Sequence, residues 1–192
     1  VKYDHPDLAQ NMWVNEAEKN GVEGTDDDGN GYVDDIYGYN FLSTYDVETG
    51  EGTIMPLSWS EDGNSGHGTH VAGTVAAVNN NGIGVCGLAG GDGSANTGVR
   101  IMTCQLFSGN ASAGTLNRAQ AYKYAADMGA SILQCSFGQD AGNLMADADF
   151  RKMYSAEADA LDYFMDNPSE ANPVGSNLAI FAAGNEGKEV SA

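Results

Sequence analysis

Gly66-His67-Gly68-Thr69-His70-Val71-Ala72-Gly73-Thr74-Val75-Ala76-Ala77 is the stretch from which the rest of the chain is read. A histidine stands between two glycines and is followed by small or β-branched residues almost without charge. A general base needs an imidazole at the lip of a cleft, with thin backbone around it so that a substrate can approach. The run that follows reads as a helix whose small side chains let it pass close to its neighbours. His67 is therefore the candidate base. His70, one turn on, is expected to point into the domain in a buried, hydrogen-bonded role, and His5, beside Pro6, reads as a structural residue of a turn.

Downstream, strand and helix patterns alternate. Val99 to Leu106 reads as a buried strand and Thr115 to Met128 as a helix, with Gly129 placed to end it. Ala130 to Cys135 is a second short apolar strand. Asp147 to Asn167 reads as one long amphipathic helix stopped by Pro168, and Leu178 to Ala183 is the last strand. Such alternation implies parallel strands joined by crossovers, with ligands bound beyond their carboxyl ends. Ser136-Phe137-Gly138 and Gly184-Asn185 each follow a strand directly, so both are expected at one sheet edge. Gly82 to Gly98 reads as a surface loop around a short buried piece, Cys86 to Ala89.

Asp26-Asp27-Asp28-Gly29-Asn30-Gly31-Tyr32-Val33-Asp34-Asp35 is the other strong local signal. Oxygen-bearing side chains at 26, 28 and 30, followed by Gly31 for a sharp turn, match the first half of a Ca²⁺ loop. Tyr32 would add its carbonyl, and Asp34 or Asp35 would close the shell. Tyr37 occupies the twelfth position, where an EF-hand needs glutamate, so the loop is not an EF-hand.

The chain has 192 residues with 27 acidic against 8 basic ones, a formal net charge of −19. That balance argues against nucleic acid and anionic membranes as partners, because both select for Lys and Arg. It makes bound cations plausible as charge relief. Cys86, Cys104 and Cys135 are an odd set in apolar runs and read as buried free thiols rather than a disulfide framework. No stretch is long and apolar enough to span a membrane.

The segment around His67 resembles the catalytic-histidine motif of the subtilisin-like serine proteases. Three further segments agree in order. His5-Pro6-Asp7-Leu8 is similar to the residues just after the triad aspartate, Ile132 to Gly138 to one wall of the primary specificity pocket, and Phe181 to Gly187 to the oxyanion-hole segment. The resemblance implies an α/β fold of three layers, a mostly parallel sheet flanked by helices, incomplete over residues 1–192. It implies Asn185 as the side-chain oxyanion donor and Ser136, Phe137 and Gly138 as substrate-binding residues. It also implies a shared calcium site holding Asp7, with Asn80 from the Val78 to Gly82 loop as side-chain ligand. Peptide or protein substrates, structural Ca²⁺ and a secreted or cell-surface location follow as expectations.

In that family the aspartate segment precedes the position of Val1, and the nucleophilic serine follows Asn185 at a distance. One triad member of three lies within the 192 residues. By themselves they are expected to be inactive and marginally stable, while the intact protein is expected to be a serine endopeptidase. The alternative is a catalytically dead relative that binds peptides or acts structurally. A metal site built on His67 and His70 is a more remote reading, since His5 is the one other histidine.

Overall fold

The computed structural model describes residues 1–42, 57–59, 66–138, 145–172 and 175–188. The chain divides into two compact units, 1–112 and 113–192. The first contains α1 (Glu16–Asn20), β1 (Gly38–Asn40), α2 (His67–Ala76), β2 (Thr103–Gln105), β3 (Phe107–Ser108) and β4 (Ala111–Ser112). The second contains α3 (Thr115–Asp127), β5 (Ile132–Cys135), α4 (Asp147–Met153), α5 (Ser155–Asp166) and β6 (Leu178–Phe181).

In the first unit β1 and β2 pair in parallel, Gly38 opposite Thr103 and Asn40 opposite Gln105, with α2 between them in sequence. The expected strand from Val99 is shorter than predicted: Ile101 only bridges Met12, and the ladder begins at Thr103. β3 and β4 form a small antiparallel hairpin. Leu8, Met12 and Ala72 make a compact apolar cluster, with Val1, Tyr3, Tyr37 and Ile101 packed on it.

α2 buries Ala72 and Ala76, one turn apart. Its small side chains serve close approach. Gly87 and Gly90 lie so near the backbone of Ala76 and Ala77 that a Cβ at either would collide with it. Asn11 Nδ2 donates to Ala76 O at 2.9 Å and to Gly90 O at 3.2 Å, tying the first turn of the chain to this corner.

In the second unit β5 and β6 are parallel, Ile132 opposite Leu178 and Cys135 opposite Phe181. α4 and α5 form the crossover, as the alternating pattern requires. α3 ends as expected: Met128 is its C-cap and Gly129 follows at φ +80°, a left-handed position that glycine takes without penalty. α3 packs on α5, burying Tyr122, Tyr124, Ala125, Ala158 and Phe164.

Arg118 Nε and Nη2 meet the two oxygens of Glu157 at 2.6 and 2.9 Å across this contact. That hydrogen bond holds the guanidinium above its ordinary range. The α/β class is as read from the sequence: small parallel sheets accompanied by helices.

The single long helix expected over Asp147–Asn167 is instead two, broken at Tyr154 (φ −122°, ψ 42°). The apolar positions cannot share one face. α5 turns Glu157, Ala158 and Phe164 inward, whereas α4 buries nothing and Met153 is 63% exposed. Arg151 spans the break, bonded to Asp147 at 3.1 Å and to Asp162 at 2.6 Å. The reading of all three cysteines as buried also fails. Cys135 is buried, Cys104 half-buried and Cys86 exposed, because the Cys86–Ala89 piece leaves Leu88 92% exposed and buries Gly87 instead.

Candidate active site and cation-binding loops

His67 is the first residue of α2 and is exposed, with Gly66 before it offering no side chain. Thr69 Oγ1, in the same turn, accepts from Lys2 N at 2.9 Å, which holds the start of the chain against the opening of the helix. His70 is also exposed, contrary to expectation. Ala72 and Ala76 define the buried stripe, and His70 falls with Thr74 on the other side, its carbonyl accepting from Thr74 Oγ1 at 3.1 Å. His5 behaves as expected: its Nδ1 accepts from Asp7 N at 3.2 Å within the turn.

Ser136, Phe137 and Gly138 leave the carboxyl end of β5, and Ala182 to Asn185 leave the same end of β6. Ala182 N donates to Cys135 O at 3.0 Å, and the rings of Phe137 and Phe181 meet edge to face at 6.5 Å. Ser136 Oγ accepts from Gln134 Nε2 at 3.1 Å. The two segments expected at one sheet edge are thus neighbours. Asn185 follows Gly184 (φ +86°), is exposed, and has its backbone N–H held by Glu186 Oε2 at 2.9 Å. Beneath this edge, burial pushes the Cys135 thiol up to about 11, against the opposing effect of its hydrogen bond with Tyr122. Cys135 is therefore a thiol, not a nucleophilic thiolate.

Asp7 is 3% exposed. Its Oδ1 accepts from Asn81 Nδ2 at 2.7 Å and its Oδ2 from Val85 N at 2.9 Å, while Val78 N donates to its carbonyl at 2.9 Å. The asparagine facing Asp7 is Asn81; Asn80, at φ +58°, donates instead to Asp92 O at 2.9 Å. Three successive asparagines leave the register open in the sequence, and only the path of the loop resolves it.

In the acidic loop the candidate oxygens have two kinds of partner, and Asp28 has both, its Oδ1 accepting from Asn30 N at 3.1 Å. Asp26 accepts from the backbone of Asn30 (3.1 Å) and Gly31 (2.8 Å), and Asp34 from Gly24 N, so both shape turns. Asp28 and Asp35 share Asn15 Nδ2, at 2.8 and 2.7 Å, and Asn30 Nδ2 reaches Asp35 at 3.1 Å. The Tyr32 ring packs edge to face on Tyr39 and Phe41. Burial and the charge of Asp35 raise Tyr39 above the ordinary phenol range.

Sequence reasoning missed Glu18. It is 4% exposed and accepts from the backbone of Asp27 (2.7 Å), Asp28 (3.2 Å) and Asp34 (2.9 Å). Oxygens of Glu18, Asp28 and Asp35 all lie within 4.8 Å of one another. Two buried carboxylates and a third beside them form an all-oxygen donor set of the kind hard divalent cations take. Nothing in the spacing of Asn15-Glu16-Ala17-Glu18 points there, because α1 reaches the loop only through the fold.

The subtilase family model matches residues 1–192, and the chain belongs to that family. It is 35% identical over 140 residues to "Subtilisin-like protease 1" of Plasmodium berghei (strain Anka), covering 73% of this chain and 20% of that protein. It is 36% identical over 121 residues to "Thermophilic serine proteinase" of Bacillus sp. (strain AK1), covering 62% of this chain and 24% of the relative. With "Cell wall-associated protease" of Bacillus subtilis (strain 168) it shares 38% over 73 residues, 38% of this chain and 7% of the relative. The chain thus spans about a quarter or less of the length of these relatives. Peptidase chemistry of the serine class is the family's, and among the described residues no helix is long and apolar enough to cross a membrane.

Proposed function

We propose that this chain is part of a secreted or cell-surface, calcium-stabilised serine endopeptidase that hydrolyses peptide bonds by a Ser-His-Asp mechanism. His67 takes the proton of the serine hydroxyl and returns it to the leaving amine. Asn185 donates its side-chain amide to the tetrahedral oxyanion, a contribution typically worth about 10²–10³ in turnover. Ser136, Phe137 and Gly138 line the pocket for the residue preceding the cleaved bond. No residue among 1–192 is proposed as the aspartate or the serine, and residues 1–192 alone are not proposed to cleave peptides.

The observation carrying this reading is an exposed histidine at the start of a small-residue helix, in a chain matched to the subtilase family from end to end. Calcium would be held at two places. Glu18, Asp28 and Asp35 form one, with Asn30 beside them and Asp26, Tyr32 and Asp34 shaping the loop. Asp7 and the 78–85 loop form the other, with Asn81 rather than Asn80 nearest the carboxylate. There the ion would supply positive charge that relieves carboxylate repulsion and pins both loops.

The test is hydrolysis of a peptide library by the intact protein, with and without Ca²⁺, beside a His67→Ala form. Calcium-supported cleavage that is blocked by a serine-directed phosphonate and lost in His67→Ala is the expected result. A folded intact protein with no such cleavage would instead support the catalytically dead, peptide-binding alternative.

A further inference from the structure

The chain contains three Asn-Gly dipeptides, Asn20-Gly21, Asn30-Gly31 and Asn81-Gly82. Each is a potential site of spontaneous deamidation, because glycine has no Cβ to keep its amide nitrogen from the preceding side-chain carbonyl carbon. The reaction needs that nitrogen as nucleophile, so its hydrogen bonding decides which dipeptide reacts.

The structure separates the three. Gly21 N donates to Glu18 O at 3.3 Å, and Gly31 N donates to Asp26 Oδ2 at 2.8 Å. Gly82 N has no acceptor among the described residues, and Asn81 and Gly82 are both exposed. Asn30 is half-buried, with its side-chain amide on Asp28 and Asp35, but it matches Asn81 in one respect. The Oδ1 of Asn30 accepts from Tyr32 N at 2.7 Å and that of Asn81 from Ile83 N at 3.1 Å, so both side-chain carbonyls are polarised toward attack. What distinguishes Asn81 is the uncommitted glycine nitrogen. The side-chain nitrogens do not separate the three, since each donates to a carboxylate: Asn20 to Glu16, Asn30 to Asp28 and Asp35, and Asn81 to Asp7.

We infer that Asn81 is the chain's preferred deamidation site, and that its conversion sets a second carboxylate against Asp7. Gly82 N gives up its proton to water and bonds to Asn81 Cγ. The Cγ–Nδ2 bond breaks, and ammonia leaves with the proton. Water then opens the resulting succinimide at either carbonyl, giving aspartate or isoaspartate. The Asn81–Asp7 hydrogen bond is lost, and two like charges replace it at a buried carboxylate. The inference is independent of the protease reading.

The experiment incubates the intact protein, inhibited with a serine-directed phosphonate, in mildly alkaline buffer containing chelator, in parallel native and urea-unfolded samples. Peptide mass mapping follows the amide-to-acid conversion at each asparagine, and enzymatic isoaspartate methylation confirms the product. In urea the three sites should convert at similar rates. In the native protein Asn81 should convert roughly three- to tenfold faster than Asn20 or Asn30, the kinetic worth of one hydrogen bond on the nucleophile. Native conversion at Asn20 or Asn30 that equals or exceeds Asn81 would overturn the inference. So would an Asn81 that stays intact while the urea sample reacts.

Discussion

Residues 1–112 and 113–188 are held together by different means. In the second unit two helices bury aromatic and alanine side chains, and the half-buried polar contact between them, Arg118–Glu157, is a matched ion pair, with the Tyr163 to Asp127 hydrogen bond an exposed second contact. In the first, Asp7, Asn11, Asn15, Glu18, Asp35 and Asn40 are buried alongside Leu8, Met12 and Phe41. Their oxygens and amides saturate backbone that makes little regular structure. Apolar burial is indifferent to cations, whereas buried carboxylates gathered within a few ångströms are not. The first unit should therefore answer to calcium and the second to packing.

The largest expected effect tests the packed side. Glu157→Ala leaves the half-buried Arg118 without its carboxylate, though still bonded to Ala113 O, and should destabilise residues 113–188 by about 3 kcal/mol, in chelator and calcium alike. Arg118→Met/Glu157→Leu should recover most of that loss. Hydrogen exchange at α3 amides reads both, and a calcium-dependent loss at α3 would break the comparison.

Next is alkaline pH. The folded state holds the Cys135 thiol at about 11, above its unfolded value of 9.0. Its contribution is thus fully present below pH 9 and is lost as pH rises through about 11. It amounts to ~2–3 kcal/mol for a buried group shifted this far. Cys135→Ala should flatten that limb of the stability curve. A wild-type curve level across the same window would contradict the burial described for β5.

A smaller effect belongs to the first unit. Glu18→Gln keeps the shape but removes the charge; it should cost about 1–2 kcal/mol in calcium and abolish the difference between calcium and chelator that the proposed site predicts for wild type. Thermal melts with and without chelator measure this. An undiminished calcium response in Glu18→Gln would remove Glu18 from the proposed cation site.

The smallest effect concerns thiol labelling. Cys86 should react with a disulfide reagent in the folded protein, and Cys135 only on unfolding, because Cys86 is exposed while Cys135 is buried with its thiol pushed up. Equal rates would mean that β5 opens readily.

Much of the second unit was legible in the sequence. Periodicity and the glycine at 129 fixed α3, and the motif order located both strand ends at which Ser136 and Asn185 emerge. Where reading failed, the deciding force was tertiary. The helix breaks at Tyr154 so that Glu157 meets Arg118, a partner that lies outside any local window. His70 faces outward because Ala72 and Ala76 claim the buried stripe. In the acidic loop the spacing named Asp28 and Asp35, which the fold gathers with Glu18, but it could not separate them from Asp26 and Asp34, since carboxylates that cluster and carboxylates that shape a turn look alike in sequence. Glu18 carried no local signal, and Asn81 was hidden among its neighbours.

The corner where Gly87 and Gly90 press on the end of α2 has a consequence for how this protein tolerates change. Gly84 is similarly confined, by the Asp7 carboxylate, and Gly98 by the Asn11 side chain. At these positions not even a methyl group fits without displacing backbone or a buried polar side chain. In a saturation library they should stand out as near-empty columns amid a permissive, exposed loop. A sequence drifting through generations would have to cross this corner in concerted steps, moving two residues at once, or leave it untouched.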